Sequence, residues 1–285
     1  MSFTGQVACD AWGEAARSGR PDFLGEGQSA AAHSIALDEL TFSERDNLEN
    51  ELALAARIQE SLLPRHAVSV AGWKARYRYD PAGLFSGDYC DLIETERGLL
   101  FLLGDVSGKG LGASMLMTQL HATFRSLAGA QSPLAQMVET ANRGFSRNMP
   151  AGLFATLVAG MAAPDGSVEM ISAGHMPILH LGESGVRNEA ATGIPLGIFH
   201  GAQFQTRRIT VAPGETLFVF TDGITEARNA SGQEYGFQRL QKIVSRFPVT
   251  APDALIRHCL HDLADFTGRT KQADDLTLLA VRREP

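Results

Sequence analysis

The sequence predicts an α+β fold of two mainly antiparallel sheets flanked by helices. Three observations carry this. From Trp73 onward, β-rich apolar runs come in consecutive groups and not in strict alternation with helices. Helical patterns are gathered between those groups, and "PDGS" at 164–167 has the turn chemistry that joins two strands as a hairpin. The bulk composition permits such a fold: 285 residues, 44% hydrophobic and 20% charged, are enough for a sizeable core.

Taken in order, residues 1–38 are rich in Gly, Ala and Ser without sustained periodicity, which predicts a flexible leader. Residues 39–64, "ELTFSERDNLENELALAARIQESLLP", predict a linker helix capped by Ser43 and ended by Pro64. Leu48, Leu52, Ala55, Gln59 and Leu62 repeat at helical steps and form a seam, suited to packing on the chain's own domain or to weak self-association as a homodimer. Residues 65–285 form the main domain. Its strand candidates are "RGLLFLLGD", "FATLVAGMAA", "SVEMISAG", "MPILHLG", "ETLFVFTDG" and "LTLLAVRRE"; its helical patterns lie at about 111–130, 134–148, 236–246 and 252–267.

Several function classes are disfavoured. With 25 Lys and Arg against 32 Asp and Glu, the net charge is −7 and the basic residues are scattered, so no nucleic-acid footprint is expected. Apolar runs such as "GLLFL" are too short to span a bilayer. The first twenty residues lack a basic start followed by an apolar stretch, so no signal peptide is expected. Cys9, Cys90 and Cys259 are odd in number and widely spaced, which favours a reducing cytoplasm. A cysteine-based phosphatase needs an Arg at a fixed offset after its Cys to cradle phosphate. Ala15, Glu96 and Asp265 occupy that offset, so that chemistry is absent.

The acidic residues carry the chemistry. Asp88 in "SGDYCD", Asp105 in "LLGDVSGKG", Asp222 in "FVFTDGITE" and the pair Asp274–Asp275 in "QADDLTLL" each read as the end of a strand with Gly or another acid adjacent. One such Asp is ordinarily a turn residue. Four such sites on one sheet edge would repel one another, and hard divalent ions with oxygen ligands supply the missing counter-charge. "HCLH" at 258–261 is a helix face and not a zinc site. "GDVSGKG" has three residues between Gly104 and Gly108 and Gly110 after Lys109, so it fails as a phosphate loop. "GKGLGA" lacks the acidic residue a dinucleotide fold needs about twenty positions on.

Six motifs in order, "SGDYCD", "GDVSGKGLGASMLM", "SAGHMPILHL", "GIPLG", "TDGITEARNASGQEYG" and "ADDLTLL", resemble the SpoIIE/RsbU-like branch of the metal-dependent protein phosphatases (PPM), bacterial relatives of the type 2C Ser/Thr phosphatases. "ENELALAARIQESLLP" resembles the helix that precedes such domains, and the resemblance runs over about residues 45–283. It implies an αββα sandwich with two Mn2+ or Mg2+ ions between the sheets. By that resemblance Asp105 bridges both ions, and Asp88 and the Val106 backbone carbonyl serve one of them. Asp222 and Asp274 serve the other, with Asp275 the second choice. Two ions about 3.5–4 Å apart activate a water that attacks phosphorus, so no protein nucleophile is needed. Lys109 is either a point charge for the phosphate or a solvated loop residue. His175 is a family-motif residue or a hydrogen-bonded structural histidine, and Glu226 supports the Asp222 loop. Ser86 and Cys90 depart from the usual Gly-Gly-Asp-aromatic-aromatic pattern. The expected activity is that of a cytoplasmic phosphoserine/phosphothreonine protein phosphatase acting on a phosphorylated STAS-domain protein in partner switching, with an activating partner at the residue 40–63 helix. The rival is a non-catalytic regulator that keeps the fold and binds a partner; intact acids at every expected position argue against it.

Overall fold

The computed structural model describes residues 41–130, 132–148 and 152–285. The leader expected at 1–38, with Cys9, lies outside these residues, as do the first two positions of the expected linker helix. The chain divides into two compact units, Met1–Glu49 and Asn50–Pro285.

Helix α1 runs Phe42–Ser61. Its start corrects the expectation for Ser43, because the cap is Thr41. Thr41 Oγ1 accepts from the Glu44 N–H at 3.3 Å, and the Glu44 carboxylate accepts from the Thr41 N–H at 2.8 Å. This reciprocal pair satisfies two end donors at once, which Ser43 does not do.

In the second unit one six-stranded sheet has the order β1-β2-β11-β10-β7-β8: β1 (Ala67–Val70), β2 (Trp73–Asp80), β11 (Leu276–Arg283), β10 (Thr216–Phe220), β7 (Ile178–Gly182) and β8 (Gly185–Glu189). A five-stranded sheet has the order β3-β4-β5-β6-β9: β3 (Asp88–Thr95), β4 (Gly98–Val106), β5 (Ala155–Ala162), β6 (Ser167–Ala173) and β9 (Arg207–Thr210). Among the described residues, each pairing between these named strands is antiparallel. Helices α2 (Leu111–Ala128) and α3 (Leu134–Asn148) pack on the five-stranded sheet. The short α4 (Asp222–Thr225) follows β10, and α5 (Phe237–Val244) and α6 (Pro252–Thr267) pack on the six-stranded sheet.

Strand periodicity builds these layers. In β4, Leu100 and Leu102 pack toward α2 and α3, while Leu99, Phe101 and Leu103 point between the sheets. In β10, Phe218 and Phe220 pack toward α5 and α6, while Leu217 and Val219 meet the other sheet. Both faces are covered, so these antiparallel strands read as unbroken apolar runs. The result is the αββα sandwich. Strand β2, "WKARYRYD", was not among the strand candidates. Trp73, Ala75 and Tyr77 face the inter-sheet core while the alternate residues are basic, and Arg76 pairs with Asp253 of α6 at 3.1 Å.

Candidate metal centre

Asp88 and Asp105 are direct cross-strand partners on β3 and β4. In the other sheet Asp222 follows the end of β10 after Thr221, and Asp274–Asp275 stand just before β11, the neighbour of β10. The sequence suggested strand ends throughout. In the fold Asp105 and Asp222 are at strand ends, whereas Asp88 and Asp274–Asp275 are at strand starts. Antiparallel pairing puts the start of one strand beside the end of the next, so all five still share one edge of the sandwich.

Burial and like charge dominate there. Burial drives the Asp88 carboxyl well above its ordinary range, against the hydroxyls of Thr277 (2.5 Å) and Thr221 (3.0 Å), which favour its charged form. Asp275 and Asp222 push it further up. Asp105 is raised to about 9 by burial and then by Asp88, Asp222, Asp274 and Asp275. Asp222 is raised to about 6 by burial, Glu226 and Asp274, with Lys109 opposing. Acids that lift one another in this way have more negative charge than Lys109 alone offsets, and their hard oxygen donors suit a Mg2+- or Mn2+-like cation. Among the described residues no three His, Cys, Asp or Glu side chains converge closely enough to make a ready cage. Two of the acids are turned aside: Asp88 toward Thr221 and Thr277, Asp274 toward Lys109.

The adjacent acids Asp274 and Asp275 have different surroundings. Asp275 is buried, and its two oxygens accept the backbone N–H groups of Ala82 (2.8 Å) and Gly87 (3.0 Å). It thereby fixes the loop before Asp88. Asp274 is about a third exposed and its Oδ2 meets Lys109 Nζ at 2.9 Å. Lys109 therefore stands neither free in solvent nor apart from the acids.

The Val106 carbonyl lies in a tight spot beside Gly87. A Cβ on Gly87 would meet that oxygen at 2.9 Å and Ala113 Cβ at 3.2 Å, with Asp105 Oδ1 at 3.6 Å. Gly87→Ala is expected to displace the carbonyl and weaken Mn2+ binding about 10–100-fold, the scale of changes to groups that position metal ligands. Titration calorimetry with MnCl2 measures it, and an unchanged affinity would remove the Val106 carbonyl from the ligand set.

His175 is fully buried and spans the sheets. Thr156 Oγ1 on β5 donates to its Nδ1 at 2.7 Å, and its Nε2–H donates to the Phe220 carbonyl at the end of β10 at 3.0 Å. The carbonyl can only accept, which fixes the tautomer. These two bonds hold the backbone that leads into Asp222. Burial depresses its pKa to about 4. A His depressed on folding binds its proton more readily when unfolded, so its stabilisation is complete above about pH 6.5 and is lost as pH falls toward 4. The loss amounts to about 3 kcal/mol. Urea unfolding at pH 7.5 and 4.5 is expected to show this contribution as a difference between the parent and His175→Gln, because the raised acids Asp105 and Asp222 change stability in the opposite sense over the same range. Glu226 raises Asp222 by its charge and donates its own N–H to the Asp222 carbonyl at 2.8 Å.

Other supports were not singled out from sequence. Thr221 and Thr277 lie inside the quoted motifs "FTDG" and "DDLT", and the β10–β11 pairing brings both hydroxyls to Asp88. Gln59, read as one residue of a seam, is buried. Its Nε2 donates to the Ser86 carbonyl at 2.6 Å and its Oε1 accepts the Ser86 N–H at 3.2 Å, two residues from Asp88. Ser86, the departure from Gly at this position, accepts the Asp88 N–H on its Oγ at 3.1 Å. Cys90, the other departure, is a buried free thiol whose pKa burial pushes up, so it is inert.

The profile of the stage II sporulation protein E (SpoIIE) family matches residues 95–284, starting seven residues after Asp88. Protein IcfG of Synechocystis sp. is 27% identical over 263 residues, covering 82% of this chain and 41% of that protein. The phosphoserine phosphatase RsbU of Bacillus subtilis is 25% identical over 249 residues, covering 84% of this chain and 72% of that protein. The chain thus spans less than half of IcfG and most of RsbU. Among solved structures, the RsbU and RsbW domains of a Mycobacterium tuberculosis protein superpose with a TM-score of 0.68 at 27% identity, covering 77% of this chain and 62% of that one.

Proposed function

We propose, from the premise that the chain belongs to the SpoIIE family, that it is a phosphoserine/phosphothreonine protein phosphatase working with two Mn2+ or Mg2+ ions. The observation that carries this reading is the shared edge to which the two sheets bring Asp88, Asp105, Asp222 and Asp274, three of them pushed above their ordinary carboxyl range by burial and by one another. Asp105, Asp88 and the Val106 carbonyl would hold one ion, and Asp222, Asp274 and Asp105 the other. Asp275 stays the second choice to Asp274, because it is buried with its oxygens on the backbone N–H groups of Ala82 and Gly87, whereas Asp274 is about a third exposed beside Lys109. When bound, such ions lower the pKa of a water and neutralise phosphate charge.

The chain's own residues do the rest. Thr221 and Thr277 orient Asp88, His175 fixes the approach to Asp222, and Gln59 and Asp275 set the loop between them. Lys109, on the loop after Asp105 and paired with Asp274, would be a cation that meets the phosphate. The family resemblance extends the proposal to a phosphorylated STAS-domain protein as substrate, in partner switching in the cytoplasm. Among the described residues no helix is long and apolar enough to cross a membrane, and Cys90 and Cys259 are free thiols. The regulatory partner is assigned to α1, where Gln59 grips the loop before Asp88 while Leu54 and Ile58 are 51% and 54% exposed. A second copy of the chain is the alternative occupant of that face.

The test is hydrolysis of an aryl phosphate and of a phosphorylated STAS-domain protein with Mn2+ and with EDTA. Turnover that EDTA removes is the expected result. Folded protein that neither turns over nor binds Mn2+ would replace this reading with the non-catalytic regulator.

A further inference from the structure

Lys109 joins two parts of the site's rim. Its Nζ donates to Asp274 Oδ2 at 2.9 Å and to the Ala273 carbonyl at 2.8 Å. It lines both a cleft of about 460 Å3, with Glu226, Arg228, Lys271 and Asp274, and a second of about 770 Å3, with Leu52, Leu84, Phe85 and Leu111. The side chain is therefore part of the wall between them, together with Lys271, Gln272 and Ala273.

The two ends of this wall differ in how firmly they are held. On the acidic side, Gln272 donates to the carbonyls of Asp80 (2.7 Å) and Asp274 (2.8 Å), the Asp275 N–H donates to Asp274 Oδ1 at 3.0 Å, and the Asp275 carboxylate is fastened to Ala82 and Gly87. On the basic side, Lys109 is 62% exposed and sits between Gly108 and Gly110, whose φ angles of 97° and 74° are left-handed. If the pair separates, Lys109 is the partner that moves.

We propose that Lys109 is a latch that takes the place of a divalent cation at Asp274. The ammonium neutralises Asp274 while the carboxylate cluster lacks its cation. Cation binding at Asp274 displaces Lys109, which swings away on its glycine loop, widening the passage between the two clefts and freeing its charge for the incoming phosphate. This rests on the metal reading above. It adds that cation binding and the Lys109–Asp274 pair are mutually exclusive, so the glycine loop at the start of α2 reports site occupancy. Exposed ion pairs are weak, so the latch costs the cation less than about tenfold in affinity.

Two measurements test it. In Mn2+ titrations of the full chain, Lys109→Met is expected to bind about three- to tenfold more tightly than the parent. Lys271→Met, which removes a charge from the same cleft without touching Asp274, is expected to shift affinity less than twofold. Equal tightening by both variants, or none by Lys109→Met, would overturn the latch and reduce Lys109 to background charge. In reductive-methylation footprinting of the parent protein, Mn2+ is expected to accelerate modification of Lys109 several-fold relative to Lys271. An unchanged ratio, in protein shown to bind Mn2+, would also overturn it. No Mn2+ binding by any form would overturn the metal reading itself, and the latch with it.

Discussion

Replacing Asp105 with Ala is expected to lower Mn2+-dependent turnover of an aryl phosphate by at least about a thousandfold, a barrier increase of about 4 kcal/mol, and yet to raise the melting temperature of the metal-free protein. Both effects come from one feature. Asp105 is the acid pressed on by four others, and its carboxyl is pushed up to about 9. An acid raised on folding disfavours the folded state wherever the unfolded chain would be ionised. The cost begins above the ordinary carboxyl pKa near 4 and grows until about pH 9. The gain in melting temperature, measured in EDTA, should therefore be larger at pH 8 than at pH 5. A residue kept for structure would lose stability on truncation; one kept for cation binding is a stability cost that function retains. Loss of turnover with a lowered melting temperature would place Asp105 in the fold and not in the chemistry.

The joint replacement Thr221→Val and Thr277→Val has the opposite signature. Both hydroxyls donate to Asp88, which is 1% exposed, so the isosteric change leaves a carboxyl without those donors in a dry site. Leaving a buried acceptor unsatisfied costs about 1–3 kcal/mol per lost donor. The pair together is expected to lose about 3–5 kcal/mol, read from chemical unfolding. Thr277 N–H also bonds Thr221 Oγ1 at 2.9 Å, so the two sites are coupled and the double change need not equal the sum of the single ones. Mn2+ affinity should fall as well, since the hydroxyls aim Asp88. Unchanged stability with weakened Mn2+ binding would confine both threonines to ligand positioning.

Much of this was legible in the sequence because two periodicities and one chemical pattern agreed. The helices at about 111–130, 134–148, 236–246 and 252–267 appear as α2, α3, α5 and α6, and "PDGS" turns between β5 and β6. The αββα architecture and membership of the SpoIIE family follow the motif order. Strand β2 escaped because alternation with Lys and Arg hides a core-facing Trp-Ala-Tyr row. The start of α1 was misplaced by two residues, since Ser43 and Thr41 are both acceptable caps in isolation and only the reach of Glu44 separates them. At the site, residue types named the acids but not their orientation. Asp274 and Asp275 are indistinguishable in a string, and they are distinguished here by which backbone N–H groups face each one. Gln59 looked like a weak seam residue because a side-chain amide carries no sign of the main chain it will grip.

The shared edge has a consequence for how the molecule is made. Asp88 and Asp105 come from one sheet, Asp222 and Asp274 from the other, and they are separated by most of the domain's chain. No hairpin or single sheet contains the set, so the cluster comes together only when the two sheets dock, a late event governed by long-range contacts. The like charges then meet at the last stage of folding, where they oppose completion. A divalent ion that binds there recognises the finished molecule alone, so it should slow unfolding while leaving the rate of folding almost untouched. The protein's lifetime would then follow the supply of metal, while its rate of formation would not.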